Sequence, residues 1–458
     1  MNTRRSETGQ ALVIVLLAMP FIFGILGLAI DVGYIEHVKR QMQTAADSAA
    51  IVGAEELPYV ASDVGVTVNS SAKAAAQANG SLNSAVTVNN PPTLGPHAGN
   101  ASYVEVIVAQ NQPTYFTAIF GLTSVLVRTR AVALLGSGQS CLYALAPSGT
   151  GFRLNGNNNL TTQCGVVVNS TDNSAFVANG NNTVDTKFIG VVGGAKVDGN
   201  NSLSPQPVTG IAPSPDPLAY LVPPTISTAC SGGGNVVVNG TGQTKTVAGG
   251  ACSNVNISGT GNTVTLTTGT FGNVSVNGTN DTVILDAGQY GNVTVNGSGS
   301  VTFSAGQYAS ITGNGSATET FSAGTYAITT GNFSTNGVAG SGGTGVTFYM
   351  GPNAGRITFN GGLTSNFTAP TTGAYAGILL YQDPGDTNGI TLNGNSTAVL
   401  TEALYCPTAS ITMNGNNSTS PYTIVVAYSV TMNGNNSLGD DYSSLPGGSP
   451  IKTGLLVE

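Results

Sequence analysis

The chain begins with a long apolar segment. Residues 11–30 (ALVIVLLAMPFIFGILGLAI) are twenty residues without a charged side chain, about the length that an α-helix needs to cross the ~30 Å hydrocarbon core of a bilayer. Arg4 and Arg5 precede this segment, so the positive-inside rule predicts a cytoplasmic N-terminus and an exported bulk of the chain. A cleavable signal peptide is the alternative, but its apolar region usually has about 7–15 residues and ends at a small-residue cleavage site. The pattern therefore favours an uncleaved, single-pass anchor whose partner is the lipid bilayer.

The helical pattern continues beyond the apolar segment. Val32, Ile35, Val38 and Met42 recur at steps of three and four residues, and an Ala-rich stretch then runs up to Pro58. Small residues share one face of this predicted helix: Ala45, Ala46, Ala49, Ala50 and Gly53. That face can pack against the next part of the chain or against a partner, and the sequence leaves both possibilities open. Residues 1–57 are thus predicted to form a cytoplasmic head, a transmembrane span and a helical stalk.

Residues 58–140 predict a small exported α/β domain. A helix is expected over 71–79, and alternation of apolar and polar residues predicts strands over 103–109 and 125–135. Arg128 and Arg130 fall on one face of the second strand, which indicates that this face is solvated, with an anion site as the alternative.

A repeat dominates residues 141–445. A short run of Val, Ile, Thr or Phe that ends in Asn-Gly or a close variant recurs thirteen times, mostly at intervals of 18–24 residues. Two longer intervals hold predicted insertions at 204–224, which is Pro-rich, and at 369–388. A second motif (TGTF, AGQY, AGQY, AGTY) recurs out of phase with the first, with glycines at 269, 288, 306 and 324. Residues 446–458 are left as a C-terminal tail.

Two topologies can use this unit. Asn-Gly between alternating runs also favours antiparallel hairpins, but identical positions that recur over many short strands are typical of a solenoid, in which each residue stacks over its predecessor. We therefore predict a mainly β fold, a right-handed parallel β-helix of about 12–14 turns. Stacked asparagine amides and turn-forming glycines are expected at its corners: Asn239, Gly240, Asn277, Gly278, Asn296, Gly297, Asn360, Gly361, Asn414, Gly415, Asn433 and Gly434. The aromatic residues at 271, 290, 308 and 326 should form a second ladder.

The cysteines fit a solenoid in an oxidising compartment. The chain has five, without a C-x-x-C pair, which argues against a zinc site or thioredoxin-like chemistry. Cys141–Cys164 and Cys230–Cys252 are separated by 23 and 22 residues, about one turn, which would bring each pair within disulfide range. Both bridges are predicted, on the condition that the domain is exported. Cys406 is left as a buried free thiol.

Composition narrows the possible functions. Thirteen Lys and Arg stand against 21 Asp and Glu, for a net charge of −8, and charged residues make up only 7% of the chain. Nucleic-acid binding requires clustered positive charge, so no nucleic-acid partner is expected. The chain contains only two histidines, which leaves little for acid–base or metal chemistry. No catalytic residue, cofactor or metal ligand is predicted.

Acidic pairs are the remaining candidates for chemistry. Asp383 with Asp386, and Asp440 with Asp441, lie in Gly- and Pro-containing turns, where Asp is favoured for backbone reasons. Paired carboxylates can also bind Ca²⁺ or act in hydrolysis, so a degenerate polysaccharide lyase is kept as an alternative. A glycan-binding surface protein is another, since an Asn/Thr/Ser-rich flank can form hydrogen bonds with sugars.

The N-terminal segment resembles a known family. The Gly9-Gln10-Ala11 entry, the apolar span, Asp31-Val32-Gly33 and the stretch Gln43-x-x-x-Asp47-x-Ala49-Ala50 are similar to TadE/TadG-like proteins of Flp pilus assembly, over about residues 4–57. This resemblance implies a membrane-anchored envelope protein, structural or adhesive rather than catalytic. It also implies a bacterial inner-membrane location and Tad pilus or secretion components as partners.

Overall fold

The computed structural model describes residues 8–57, 68–82, 85–137, 140–227, 230, 233–336, 340–360, 365–393, 399–415, 423–440 and 449–458. The chain divides into two compact units, which we describe separately. The first unit comprises residues 1–136 together with 452–458, and the second comprises residues 137–451. The cytoplasmic head with Arg4 and Arg5 lies outside the described residues.

The described part of the first unit contains two helices, a 3₁₀ turn at Thr117–Phe120 and the first three strands. Their bounds are α1 Thr8–Glu55, α2 Val68–Ala78, β1 Val86–Asn89, β2 Tyr103–Pro113 and β3 Ser124–Ser137. The helix predicted at 71–79 and the strands predicted at 103–109 and 125–135 are therefore confirmed.

The second unit is built almost entirely of short strands. They are β4 Ser140–Ala144, β5 Phe152–Gly156, β6 Asn159–Thr162, β7 Gly165–Val168, β8 Phe176–Gly180, β9 Thr183–Asp185, β10 Ile189–Val191, β11 Ala195–Gly199, β12 Ser202–Ser204, β13 Val208–Thr209, β14 Asn235–Thr241, β15 Thr244–Val247, β16 Ser253–Thr260, β17 Thr263–Leu266, β18 Gly269–Val276, β19 Asp281–Leu285, β20 Gly288–Val295, β21 Gly299–Phe303, β22 Gly306–Gly313, β23 Thr318–Phe321, β24 Gly324–Ile328, β25 Phe333–Asn336, β26 Gly340–Thr344, β27 Val346–Met350, β28 Ile357–Asn360, β29 Ser365–Thr368, β30 Ile378–Gln382, β31 Ile390–Asn393, β32 Val399–Gly415, β33 Thr423–Gly434 and β34 Ser437–Asp440. The last strand, β35 Lys452–Leu456, belongs to the first unit.

The first unit is a four-stranded sheet, in the order β1-β2-β3-β35, that packs against helices. Strand β2 pairs antiparallel with β1 and with β3. The small-residue face of α1 is buried against α2 and the sheet, because a Cβ atom at Gly53 would lie 3.0 Å from Val104 and 3.3 Å from Ala72. Of the two possibilities that the sequence leaves open, the structure shows packing within the chain.

An ion pair between a buried carboxylate and a partly exposed arginine lies beside this core. Glu105 is completely buried, and its carboxylate accepts a hydrogen bond of 2.5 Å from Arg130 and others from Thr93 and Asn89. Burial alone would raise the pKa of Glu105, but these donors outweigh it and lower the pKa to about 2. The expectation of a solvated face is confirmed for Arg128, which is exposed, and only in part for Arg130, whose side chain is 25% exposed because it pairs with Glu105 on the neighbouring strand.

The second unit is a parallel β-solenoid of about 13 turns. Every strand pairing that the structure describes in it is parallel, for example Val274↔Val293 and Thr431↔Arg153. The alternative of antiparallel hairpins is thereby excluded. One continuous parallel ladder of strands runs in the order β14-β16-β18-β20-β22-β25-β28-β31-β32-β33-β5-β8-β11. The right-handed sense stays a prediction.

The spatial order of the turns differs from their order in the sequence. The last repeat stacks on the first, since β33 pairs with both β4 and β5, and β34 pairs with β6. We call this contact the seam. The chain enters the solenoid at the seam, proceeds to one end at β13, and later coils from β14 at the other end back to the seam.

The described residues of the Pro-rich segment 210–234 form the return connection between the two ends. Ser214 bonds to Asn169, the Tyr405 hydroxyl donates to Asp216, and the Tyr381 hydroxyl donates to the Leu221 carbonyl. Further along, Ser227 bonds to Gln307 and Cys230 lies beside Cys252, so successive residues contact turns that lie progressively nearer the β14 end of the stack. Proline lacks an N–H and favours an extended backbone, which suits a segment that runs along the stack without joining a ladder.

Aromatic rings stack along the core. Phe271 and Tyr290 have ring centroids 5.2 Å apart, Tyr290 and Tyr308 are 5.0 Å apart, and Tyr308 and Tyr326 are 6.0 Å apart. The predicted aromatic ladder is confirmed. Its rings are nearly parallel at the first two steps because each turn places the same residue above its predecessor.

Candidate functional site

Asparagine side chains form a long polar ladder along the described part of the solenoid. Ten amide-to-amide hydrogen bonds of 2.6–3.3 Å join eleven residues, each Nδ2 donating to the Oδ1 of the neighbouring turn. In spatial order they are Asn256, Asn277, Asn296, Asn314, Asn336, Asn360, Asn393, Asn414, Asn433, Asn155 and Asn179. The ladder crosses the seam without interruption, through the bond of 2.9 Å from Asn155 to Asn433. Because each amide satisfies its neighbours, the ladder acts first as a structural element.

A second, buried ladder exists around the seam. Asn436 donates to Asn158 (2.9 Å), Asn158 to Asn182 (2.8 Å) and Asn182 to Asn201 (2.7 Å). Asn158, Asn182 and Asn436 are each 1% exposed. Each of these asparagines is the last residue of the motif Asn-Gly-Asn-Asn, or of Asp-Gly-Asn-Asn at 198–201. The motif occurs in the first three and the last two copies of the repeat. Copies that share this motif are neighbours in space, a signal that could have revealed the seam from the sequence.

The predicted corner residues differ in their surroundings. Asn277, Asn296, Asn360, Asn414 and Asn433 belong to the long ladder, whereas Asn239 lies opposite Ser258. Gly361 lies outside the described residues.

Close stacking explains the corner glycines more generally than backbone conformation does. Gly240, Gly415 and Gly434 have positive φ, but Gly278 and Gly297 do not. At Gly297 a Cβ atom would lie 2.1 Å from the carbonyl oxygen of Gly278 in the adjacent turn. A side chain is therefore excluded there by the neighbouring backbone.

The described acidic residues that were candidates for catalysis or metal binding accept hydrogen bonds from neighbouring groups of the solenoid. Asp383 accepts hydrogen bonds from the Tyr349 hydroxyl (2.6 Å) and the Gly385 N–H (2.8 Å), and Asp386 accepts from Asn388. Among the described residues, no group of three His, Cys, Asp or Glu side chains could hold a metal ion. Asp441 lies outside the described residues, as does the side chain of Asp440.

One shallow groove lies on the outer face near the β14 end. Asn235, Asn254 and Asn273 line it together with Val237, and its volume is about 260 Å³. Ligand pockets usually enclose ~300–1,000 Å³, and the Asn254 amide already bonds to Asn235. The groove therefore gives the glycan interpretation no support.

Both predicted cysteine pairs lie at disulfide distance. The Cα atoms are 5.7 Å apart in Cys141–Cys164 and 5.6 Å apart in Cys230–Cys252. The first pair joins adjacent turns, whereas the second fastens the return connection to the solenoid. Cys406 is buried in the core, and this burial raises the pKa of its thiol, which disfavours the reactive thiolate.

We expect both bridges to form in the exported protein. When the chain is unfolded without reductant, an alkylating reagent should label one thiol, that of Cys406. After reduction it should label five thiols, one per cysteine. Intact-mass analysis counts these labels. Three or five labels on unreduced protein would show that one or both pairs remain thiols.

The N-terminal helix is the remaining candidate for a functional element. Within the described residues, Leu12–Glu55 is the one helix long and apolar enough to cross a membrane. Residues 9–56 match the family model described as putative Flp pilus-assembly TadE/G-like. This TadE/G-like segment agrees with the resemblance found in the sequence, and it fits a membrane-anchored protein. No curated protein and no solved structure matches the chain.

Proposed function

We propose that the protein is a non-catalytic envelope component of Tad/Flp pilus assembly, anchored in the bacterial inner membrane through residues 11–30. In this proposal the solenoid is exported and has a structural role. The observation that carries it is the TadE/G-like segment, which coincides with the apolar helix.

The chemistry of the solenoid supports a structural role. Its long Asn ladder is bonded internally, and Asp383 and Asp386 are engaged in turns. Two cysteine pairs at disulfide distance suit an oxidising compartment. Its corner glycines and stacked rings are also of the kind that stabilises a fold instead of binding substrate.

Deletion of the gene provides the test. We expect loss of Flp pili, counted by electron microscopy, and recovery when the full chain is restored. A matched control restores the chain with Asp383→Asn and Asp386→Asn, which should still assemble pili because neither carboxylate is assigned a chemical role. Normal piliation in the deletion strain would overturn the proposal.

A further inference from the structure

The loop 114–122 of the first unit is attached to the apolar helix at the end of the predicted span. Asp31 is only 3% exposed. Its carboxylate accepts hydrogen bonds from the backbone N–H groups of Tyr115 (3.0 Å), Phe116 (2.9 Å) and Thr117 (2.7 Å). The hydroxyl of Thr117 donates to the same carboxylate at 3.0 Å. The position of the loop along α1 is thereby fixed.

From this attachment the loop extends along α1 into residues 20–30. The ring of Phe116 lies on Gly27, where a Cβ atom would be 2.7 Å from it. An open apolar groove of about 1040 Å³ is lined by Pro20, Phe23, Gly24 and Gly27 of the helix, and by Phe116 and Phe120 of the loop. Phe120 therefore lies at the depth of the apolar segment of the helix.

The tip of the loop is suited to hydrocarbon and poorly suited to water. Ile119 is 79% exposed and Phe120 is 85% exposed. No charged residue occurs between Glu105 and Arg128. Exposed apolar side chains that cluster in this way mark a surface that contacts another protein or a membrane.

The backbone of the loop is also largely satisfied internally. Besides the three N–H groups that bond to Asp31, those of Ile119, Gly121 and Leu122 donate to carbonyls within the loop. The N–H of Thr114 donates to the carbonyl of Thr123. Non-helical backbone enters a membrane only where its polar groups find partners in the protein, and this loop largely meets that condition.

We propose that the tip of the 114–122 loop inserts into the bilayer beside α1, with lipid acyl chains filling the apolar groove. This proposal rests on the membrane anchoring in the proposed function, since it assigns the same lipid to a second segment. Continuity with the span selects lipid over a second copy or a partner helix: acyl chains that surround residues 20–30 also reach Phe120.

The natural absence of tryptophan makes the test direct. Phe120→Trp, introduced in the full chain, is reconstituted in phosphatidylcholine–phosphatidylglycerol vesicles with or without brominated acyl chains, which quench indole fluorescence on contact. Phe23→Trp is the reference inside the span. Leu94→Trp is the control, because Leu94 is an exposed apolar residue of the same unit beside the Arg130–Glu458 ion pair.

We expect Phe120→Trp to lose the same fraction of its fluorescence as Phe23→Trp, while Leu94→Trp is unaffected. Quenching at position 23 without quenching at 120 would overturn the proposal and leave the anchor intact; a protein partner that covers the loop would give this result. If neither position is quenched, both the membrane anchoring through residues 11–30 and the insertion of the loop tip are wrong. Because Phe120 is mostly exposed, its replacement should leave the fold unchanged.

Discussion

Replacement of Glu319 by valine is expected to stabilise the solenoid at neutral and alkaline pH. Glu319 is 1% exposed, and neither of its carboxylate oxygens has a hydrogen-bond partner. In the ladder it lies between Val301 and Ser341. It therefore occupies an interior position that valine fills in the preceding turn.

The pH dependence has a definite sign. Burial raises the pKa of Glu319 from 4.5 to about 7. Below about pH 4 the group is protonated in both the folded and the unfolded state, so its pH-dependent contribution is fully present. As the pH rises through 7, the unfolded state ionises first and stability is lost, by about 3 kcal/mol in total. Glu319→Val should therefore raise the free energy of unfolding by about 3 kcal/mol or more at about pH 8.

Thermal unfolding of the full chain in detergent, followed by circular dichroism across this pH range, measures the effect. Glu319→Gln is the matched control, because it removes the titration but keeps a buried polar group without partners. It should flatten the pH dependence with a smaller gain than valine. A wild-type stability that does not fall between about pH 4.5 and 7 would contradict the burial of an unpaired carboxyl at this position.

Gly156→Ala is expected to destabilise the solenoid strongly, because this residue lies at the seam. A Cβ atom at position 156 would lie 2.4 Å from the carbonyl oxygen of Gly434, and φ is +111°. Overpacking against backbone and the strain of a positive φ together should cost about 2–5 kcal/mol. Thermal unfolding of the full chain again provides the measurement.

Gly149→Ala separates these two causes. Gly149 lies between β4 and β5 with φ of +78°, and no atom lies within 4 Å of its Cβ position. It should lose only the ~1 kcal/mol of a strained backbone. If the two variants lose the same stability, the last turn does not stack on the first and the seam is absent.

Much of the architecture follows from local sequence patterns. The uncharged run at 11–30 predicts an apolar helix, because its length and its apolar composition are typical of a membrane-spanning helix. The Asn-Gly copies predict stacked parallel strands, since identical positions recur at the interval of one turn. Tyr290 and Tyr308 could likewise be placed in one ladder from their spacing alone, because stacking depends only on the repeat.

Contacts between residues distant in the sequence were not predictable in this way. Glu105 and Arg130 meet because β2 and β3 pair in one particular register, and the residues themselves carry no signal of it. Asp31 and the 114–122 loop are likewise separated by more than eighty residues. Such contacts depend on how elements are arranged in space, which local periodicity does not specify.

The sequence by itself determined the repeat, the apolar helix and the identity of the residues that stack. Only the tertiary structure decided the order in which the turns stack, with the last repeat on the first and the described part of the Pro-rich connection returning between the ends. The physical reason is that neighbouring turns interact through the same backbone hydrogen bonds and nearly the same side chains wherever they occur in the chain. Adjacency is then fixed by small differences such as the Asn-Gly-Asn-Asn corners and by the path of the connection, and both act through long-range contacts.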